Sequence, residues 1–143
     1  MTHPDYTLIV RTPTVQEYCD LRRLSGLSPK SPEAAARGLP NSVYAVVIEH
    51  KGAAIGMGRV VGDGGTMLQI TDIAVLAEHR GRGLGKRIVK ALVDWVEAEI
   101  PKGAYVSLIA DGPAKDLYAQ FGFQETAPVS VGMALVVGKQ AQR

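Results

Sequence analysis

The residues whose types and spacing bear most clearly on chemistry lie in one run, Val75-Leu76-Ala77-Glu78-His79-Arg80-Gly81-Arg82-Gly83-Leu84-Gly85-Lys86. An apolar, strand-like segment leads into it and an amphipathic helical pattern leads out. A helix N-terminus presents unpaired backbone N–H groups and the positive end of the helix dipole, a setting suited to a phosphate. Glycine lets the backbone come close to such an anion. Arg80, Arg82, Lys86 and Arg87 put positive charge where a first helical turn ordinarily prefers acids, so an anion is the natural compensation. The competing reading is a solvated basic turn in which the glycines supply flexibility alone.

Two nucleotide motifs are excluded by counting. The pattern G-x-x-x-x-G-K-[ST] fails because Arg80 stands at the first glycine and Arg87 replaces the hydroxyl residue that would meet magnesium. The pattern G-x-G-x-x-G fails because Gly81-Arg82-Gly83-Leu84-Gly85-Lys86 ends in lysine. The run also sits in mid-chain, not in a first βαβ unit.

The elements that must position this turn can be read from patterning. The chain has 143 residues, one domain's length, and residues 1–143 are read as a single domain. Its 46% hydrophobic and 21% charged content is that of a globular protein. A net charge of +2 does not by itself point to nucleic acid. The single Cys19 cannot form an internal disulfide and fits a reducing cytoplasm. No basic-then-apolar leader opens the sequence, and no apolar run approaches the roughly 18 residues of a membrane span. A cytoplasmic protein without a membrane or nucleic-acid partner is therefore expected.

Residues 6–11 read as a first strand. Thr14 and Glu17 form a capping box for a helix that Gly26 stops, and Ser31-Pro32-Glu33 opens a shorter helix ending near Gly38 and Pro40. Strands over 43–49, 53–61 and 67–75, joined by short turns, predict an antiparallel meander. Residues 84–100 predict an amphipathic helix with Leu84, Ile88, Ala91, Leu92, Trp95 and Val96 on one face. A strand over 104–110 follows, free to lie parallel to the third meander strand. A short helix over 114–121 and a last strand over 133–137 complete a mixed α/β sheet.

With these elements in place, Arg80-Gly81-Arg82-Gly83-Leu84-Gly85 resembles the R-x-x-G-x-G/A motif of the GNAT acetyltransferase superfamily. Leu117-Tyr118-Ala119-Gln120-Phe121-Gly122-Phe123 resembles that family's second motif, L-Y-x-x-x-G-F, and Asp111 stands where the family often has Asn. The element order matches over nearly the whole chain. The resemblance implies a GNAT-like fold, an antiparallel meander followed by a parallel βαβ unit whose strands splay apart. It implies acetyl-coenzyme A as co-substrate in that cleft, without a metal. The pyrophosphate would rest on Arg80, Gly81, Arg82, Gly83, Leu84, Gly85 and Lys86, and the pantetheine arm would pair with backbone of Ile73, Ala74 and Val75 like an added strand. Asp111 and Tyr118 would lie at the same cofactor site.

The implied activity is N-acetyl transfer to a primary amine by direct attack in a ternary complex. A thioester is reactive enough for a neutral amine, so the enzyme must orient the amine, take its proton, stabilise an oxyanion and protonate the leaving thiolate. Tyr118 is the candidate acid by its place in the second motif, and its free pKa of about 10 keeps it protonated at neutral pH. The alternative is that it packs with Phe121 and Phe123. Backbone N–H groups near Ile73 or Val75 would polarise the acetyl carbonyl. Several small-amine members of the family carry an acidic pair before the glycine turn; here it reads Thr71-Asp72, so one carboxylate is missing. Asp72 is the candidate base, through water, or a structural hydrogen-bond acceptor. Strand alternation places Thr71 and Asp72 on opposite faces unless a bulge redirects one.

His50 and His79 lack acidic or cysteine partners at ligand spacing and do not read as a metal site. Arg22 and Arg23, near the end of the first helix, read as a solvated face; the resemblance implies that this helix and the next roof the acceptor site, where an arginine would hold a substrate carboxylate or phosphate. Tyr44, Tyr105 and Met133 read as core or pocket wall. A small-molecule amine is the expected acceptor. A protein lysine or N-terminus, and a non-catalytic acyl-coenzyme A sensor, are the alternatives, and a homodimer is left open.

Overall fold

Local sequence signals start the helices as expected. In the computed structural model, which describes residues 5–138, the Thr14 hydroxyl accepts the Glu17 N–H at 3.1 Å and the Glu17 carboxylate accepts the Thr14 N–H at 2.9 Å. This capping box satisfies donors that the first helical turn leaves orphaned. It opens α1 (Val15–Ser25), which Gly26 closes in a left-handed conformation at φ 92°. Ser31 caps α2 (Pro32–Gly38), with Pro32 in the first turn, where its missing N–H costs nothing. Arg11 spans 2.8 Å to Glu17 and 3.1 Å to Glu49, tying α1 to the sheet.

The strands are β1 (Tyr6–Val10), β2 (Tyr44–His50), β3 (Ala53–Gly62), β4 (Met67–Val75) and β5 (Tyr105–Ser107), in the spatial order β1-β2-β3-β4-β5. The first four pair antiparallel in sequence, and β5 is parallel to β4. The β3–β4 turn is locked by Asp63, whose carboxylate accepts the N–H groups of Gly65, Thr66 and Met67 and the Thr66 hydroxyl. Those donors hold its carboxyl well below the usual carboxylate range. The parallel β4–β5 pair requires a crossover, supplied by α3 (Leu84–Glu99). This is the mixed α/β sheet that the patterning implies.

The sheet is covered on both faces. Tyr18, Leu21, Ala35 and Leu39 from α1, α2 and the turn after it pack with Met57 and Ala74. On the other face Ile88, Val89 and Leu92 of α3 are wholly buried. The side chain of Trp95 stacks on Tyr44 with ring centroids 4.6 Å apart, packing α3 against β2. The close seat of α3 depends on Gly58: a Cβ there would lie 2.5 Å from Ile88 and 3.1 Å from Leu92. The sequence pattern puts Ala91, Trp95 and Val96 on the apolar face of α3, yet Val89 and Val93 are more deeply buried than these three.

The chain divides into two compact units, Met1–Leu108 and Ile109–Arg143. The first contains the sheet and α1 to α3. The second contains α4 (Lys115–Ala119), a 3-10 turn just before it, and otherwise turns and irregular backbone among the described residues. Two expectations need correction here. Strand β5 is three residues long, not the span 104–110. The segment 133–137 forms no strand: Met133, Leu135 and Val137 are 88%, 79% and 90% exposed, so this apolar stretch has no face to bury and no ladder to satisfy its backbone among the described residues. Met133 and Tyr105 are accordingly exposed, not core. Apolar composition reports a residue's fitness for a strand, whereas a strand exists only with a partner edge.

Candidate functional site

The glycine turn closes β4 and opens α3. Gly81 and Gly83 are left-handed, at φ 80° and 76°, a conformation that glycine adopts without Cβ strain. Gly83 is the N-cap of α3, so no side chain caps this helix, and its first turn contains no acid. The N–H groups of Leu84, Gly85 and Lys86 therefore lie in the anion-favouring end of the helix dipole. A Cβ at Gly81, Gly83 or Gly85 would meet nothing within 4 Å. The turn is thus an open cradle of backbone donors, with room over each glycine for a ligand.

The basic residues divide by role. Arg80 donates from Nε to the Val75 carbonyl and from Nη2 to the Ser25 carbonyl, both at 2.9 Å, and so braces the turn against β4 and the end of α1. Arg87 donates to the Tyr6 carbonyl at 3.1 Å. Arg82 lies 5.8 Å from the Tyr6 ring centroid, a cation–π contact. Lys86 is exposed. The Tyr6 hydroxyl is 2.7 Å from His79 Nδ1, and Tyr6 stacks on His50 at 4.6 Å. Both histidines thus belong to an aromatic cluster beneath the turn.

Strand β4 meets β5 only over Met67–Gln69, pairing with Tyr105–Ser107. Beyond Gln69 no strand pairs with that edge of β4 among the described residues. The Leu76 N–H donates to the Ile55 carbonyl at 2.9 Å, toward β3. Alternation then turns the backbone groups of Ile73 and Val75 to the open edge, and those of Ala74 to β3. The Val75 carbonyl already accepts from Arg80, which leaves its N–H.

Asp72 departs from regular strand geometry. The register runs Met57↔Ala74 and then Arg59↔Thr71, so Asp72 and Ile73 together oppose Gly58. This is a β-bulge, and Asp72 takes the left-handed conformation at φ 61°, which a short polar side chain tolerates better than most. The bulge turns Asp72 toward α1. There its Oδ1 accepts from Arg22 Nη1 at 2.6 Å and from the Tyr18 hydroxyl at 3.0 Å, and its Oδ2 accepts from Arg59 Nε at 2.8 Å. Asp72 is 6% exposed. Burial, followed by the charge of Asp72, pushes the Tyr18 hydroxyl up to about 12. Arg22 is buried in this network and is no solvated face, whereas Arg23 is exposed and pairs with Asp20.

The motifs do not mark Tyr18 or Arg59, although the sequence carries a signal for Arg59. A lone base in the apolar run Ile55-Gly56-Met57-Gly58-Arg59-Val60-Val61, beside a lone acid within β4, demands a buried partnership. Tyr18 offered no comparable mark, because a tyrosine on the buried face of a helix reads as core.

In the second unit, Tyr118 lies on α4 with its ring 6.3 Å from Phe123 in an edge-to-face contact. Burial, then the charge of Asp111, raises its hydroxyl above the ordinary tyrosine value. That hydroxyl has no hydrogen-bond partner among the described residues, so a packing role does not use it.

No described helix is long and apolar enough to cross a membrane. Residues 13–123 match the Acetyltransferase (GNAT) family. A probable acetyltransferase of unknown function from meticillin-resistant Staphylococcus aureus is 45% identical, with TM-score 0.87, over 92% of this chain and 98% of that one. A GNAT family acetyltransferase from Streptococcus pneumoniae has the same fold at 20% identity and TM-score 0.74, over 94% of this chain and 99% of that one. So has glucosamine-6-phosphate N-acetyltransferase from Arabidopsis thaliana, at 22% identity and TM-score 0.65, over 92% and 99% of the two chains. No curated protein matches. The family match spans most of the chain and contains both the glycine turn and the Tyr118 helix, and the chain therefore belongs to the GNAT acetyltransferase family.

Proposed function

We propose that this protein transfers the acetyl group of acetyl-coenzyme A to a primary amine on a small molecule, by direct attack in a ternary complex. The observation that carries this reading is the uncapped, acid-free start of α3 over the open glycine cradle, at the end of a strand whose edge is unpaired. Such a cradle suits a pyrophosphate, and such an edge suits an amide-bearing arm that adds to a sheet. Acetyl-coenzyme A has both parts, and its thioester supplies an activated acyl group.

Within this reading the Leu84, Gly85 and Lys86 N–H groups hold the pyrophosphate, with Arg82 and Lys86 adding charge. Arg80 holds the turn against Val75 and Ser25. The Ile73 and Val75 N–H groups bind the amide arm and the acetyl oxygen, where donors fixed in advance favour developing negative charge. Tyr118 donates a proton to the departing thiolate, and Asp111 helps keep it protonated. Asp72 has both oxygens occupied by cationic donors, which favours a positioning role over proton abstraction. It fixes the bulge that sets the direction of Ile73. The proton lost by the attacking amine passes to water, and water returns a proton to Tyr118 after each turnover. The protein acts in the cytoplasm.

The test is direct. Acetyl-coenzyme A should raise the melting temperature by mass-action linkage, and NAD and ATP much less. A panel of amines, amino acids, aminoglycosides and peptides, followed by release of free thiol, should reveal turnover on a small amine. An equal shift with NAD would remove the coenzyme assignment, and turnover confined to peptides would move the acceptor to protein.

A further inference from the structure

Resting on the proposed acetyl transfer to a small amine, we infer that the acceptor carries an anionic group, a carboxylate or a phosphate, near its amine, and that Arg59 recognises it.

The argument begins with charge. Two guanidinium groups, Arg22 and Arg59, share the single carboxylate of Asp72. Their side chains are 9% and 11% exposed. The cluster therefore holds one positive charge more than its acids neutralise, in a place with little water to solvate it. Buried charge of this kind is costly unless an anion completes the set. The acids of α1 do not serve. Asp20 pairs with Arg23 and Glu17 with Arg11.

The hydrogen bonds locate the unused capacity. Arg22 has an acceptor at each nitrogen: Nε to the Ser28 carbonyl at 2.7 Å, Nη1 to Asp72 at 2.6 Å, Nη2 to the Ser28 hydroxyl at 3.0 Å. Arg59 is not. Its Nε meets Asp72 at 2.8 Å and its Nη1 meets the Ser42 hydroxyl at 2.9 Å, while Nη2 has no acceptor among the described residues. The guanidinium lies 5.4 Å from the centroid of the Tyr18 ring, which steadies it. An arginine so held presents a planar fork that complements a carboxylate or phosphate.

Placement supplies the last step. Asp72, the partner of Arg59, directly precedes Ile73, whose backbone faces the open edge of β4. In the proposed reaction the acetyl group lies at that edge. An amine aligned for attack there, with an acidic group a few bonds away, brings that group toward the bulge and its surplus cation. A neutral amine leaves the cation uncompensated.

Matched acceptor pairs test this with the wild-type enzyme: amino acids against their amides, and 6-phosphorylated glucosamine against glucosamine. Thiol release gives kcat/KM for each. The anionic member should be preferred at least about tenfold, chiefly through KM. The carboxylate and phosphate arms show which acid is used. Arg59→Gln should bring the ratio toward one, and Arg59→Lys should restore part of it. Equal kcat/KM within every pair would overturn the inference and leave acetyl transfer standing. No turnover on any amine would remove the acetyl-transfer reading and this inference together. If Arg59→Gln does not fold, the wild-type ratios decide alone. A preference that persists unchanged in folded Arg59→Gln would also overturn it.

Discussion

The Tyr18 hydroxyl donates a 3.0 Å hydrogen bond to Asp72 Oδ1, joining the first helix to the bulged strand across 54 positions of sequence. The bond is buried, and the same carboxylate carries two guanidinium contacts. Tyr18→Phe keeps the ring and removes one donor to a charged acceptor, and should cost about 1.5–3 kcal/mol. Asp72→Ala leaves two buried guanidinium groups facing each other and should cost about 3–5 kcal/mol or prevent folding. Urea denaturation of the two variants measures both. A change below about 0.5 kcal/mol in Asp72→Ala would mean that water solvates the cluster freely.

Gly85 offers the cleanest probe of the cradle. Its backbone is not left-handed and a Cβ there has open space, so a side chain should be tolerated by the fold while occupying the anion's place. Gly85→Val should weaken acetyl-coenzyme A binding at least tenfold, about 1.4 kcal/mol. Gly83→Val should do the same but adds strain, because Gly83 has φ 76°. Calorimetric titration, with circular dichroism as the control for folding, separates the two effects. Full affinity in folded Gly85→Val would make the turn structural only.

Tyr118→Phe keeps the contact with Phe123 and removes the hydroxyl. If the hydroxyl protonates the thiolate, kcat should fall by about 10²-fold with little change in acetyl-coenzyme A affinity. Unchanged turnover would take Tyr118 out of the mechanism. Burial, then the Asp111 charge, raises its titration above the ordinary tyrosine value, which favours the protonated form. Asp111→Asn removes one of these causes and should move the titration down. The difference in phenolate absorbance between the wild type and Tyr118→Phe follows that shift.

Glu17 makes stability depend on acid. Its hydrogen bond from Arg11 is the largest cause that lowers its pKa in the folded protein. A carboxyl depressed on folding contributes stability that is fully present above its unfolded pKa of about 4.3 and is lost as pH falls through the lower folded value. Glu17→Gln retains a capping acceptor but not the ion pair. The melting temperatures of the variant and the wild type should differ at pH 7 and draw together as pH falls below the unfolded value of about 4.3. A constant difference across that range would assign the effect to packing.

Local signals in the sequence determined much of this protein. Thr14 with Glu17, Ser31 with Pro32, and Gly26 set helix ends because capping involves residues three or four positions apart. The glycine turn was legible for the same reason: its donors, its missing cap and its basic charge all belong to residues 80–87. Strand alternation and turn residues likewise placed the meander. Tertiary structure decided what depends on partners distant in sequence. The bulge at Asp72 arises from register against β3, and only that register turns Asp72 toward Tyr18, Arg22 and Arg59. Residues 133–137 have strand-like composition, but whether backbone pairs depends on an edge elsewhere, and none is used among the described residues. Spacing along a chain reports on groups that share a helix turn or a strand face; a buried charge is set by whatever the fold carries to it.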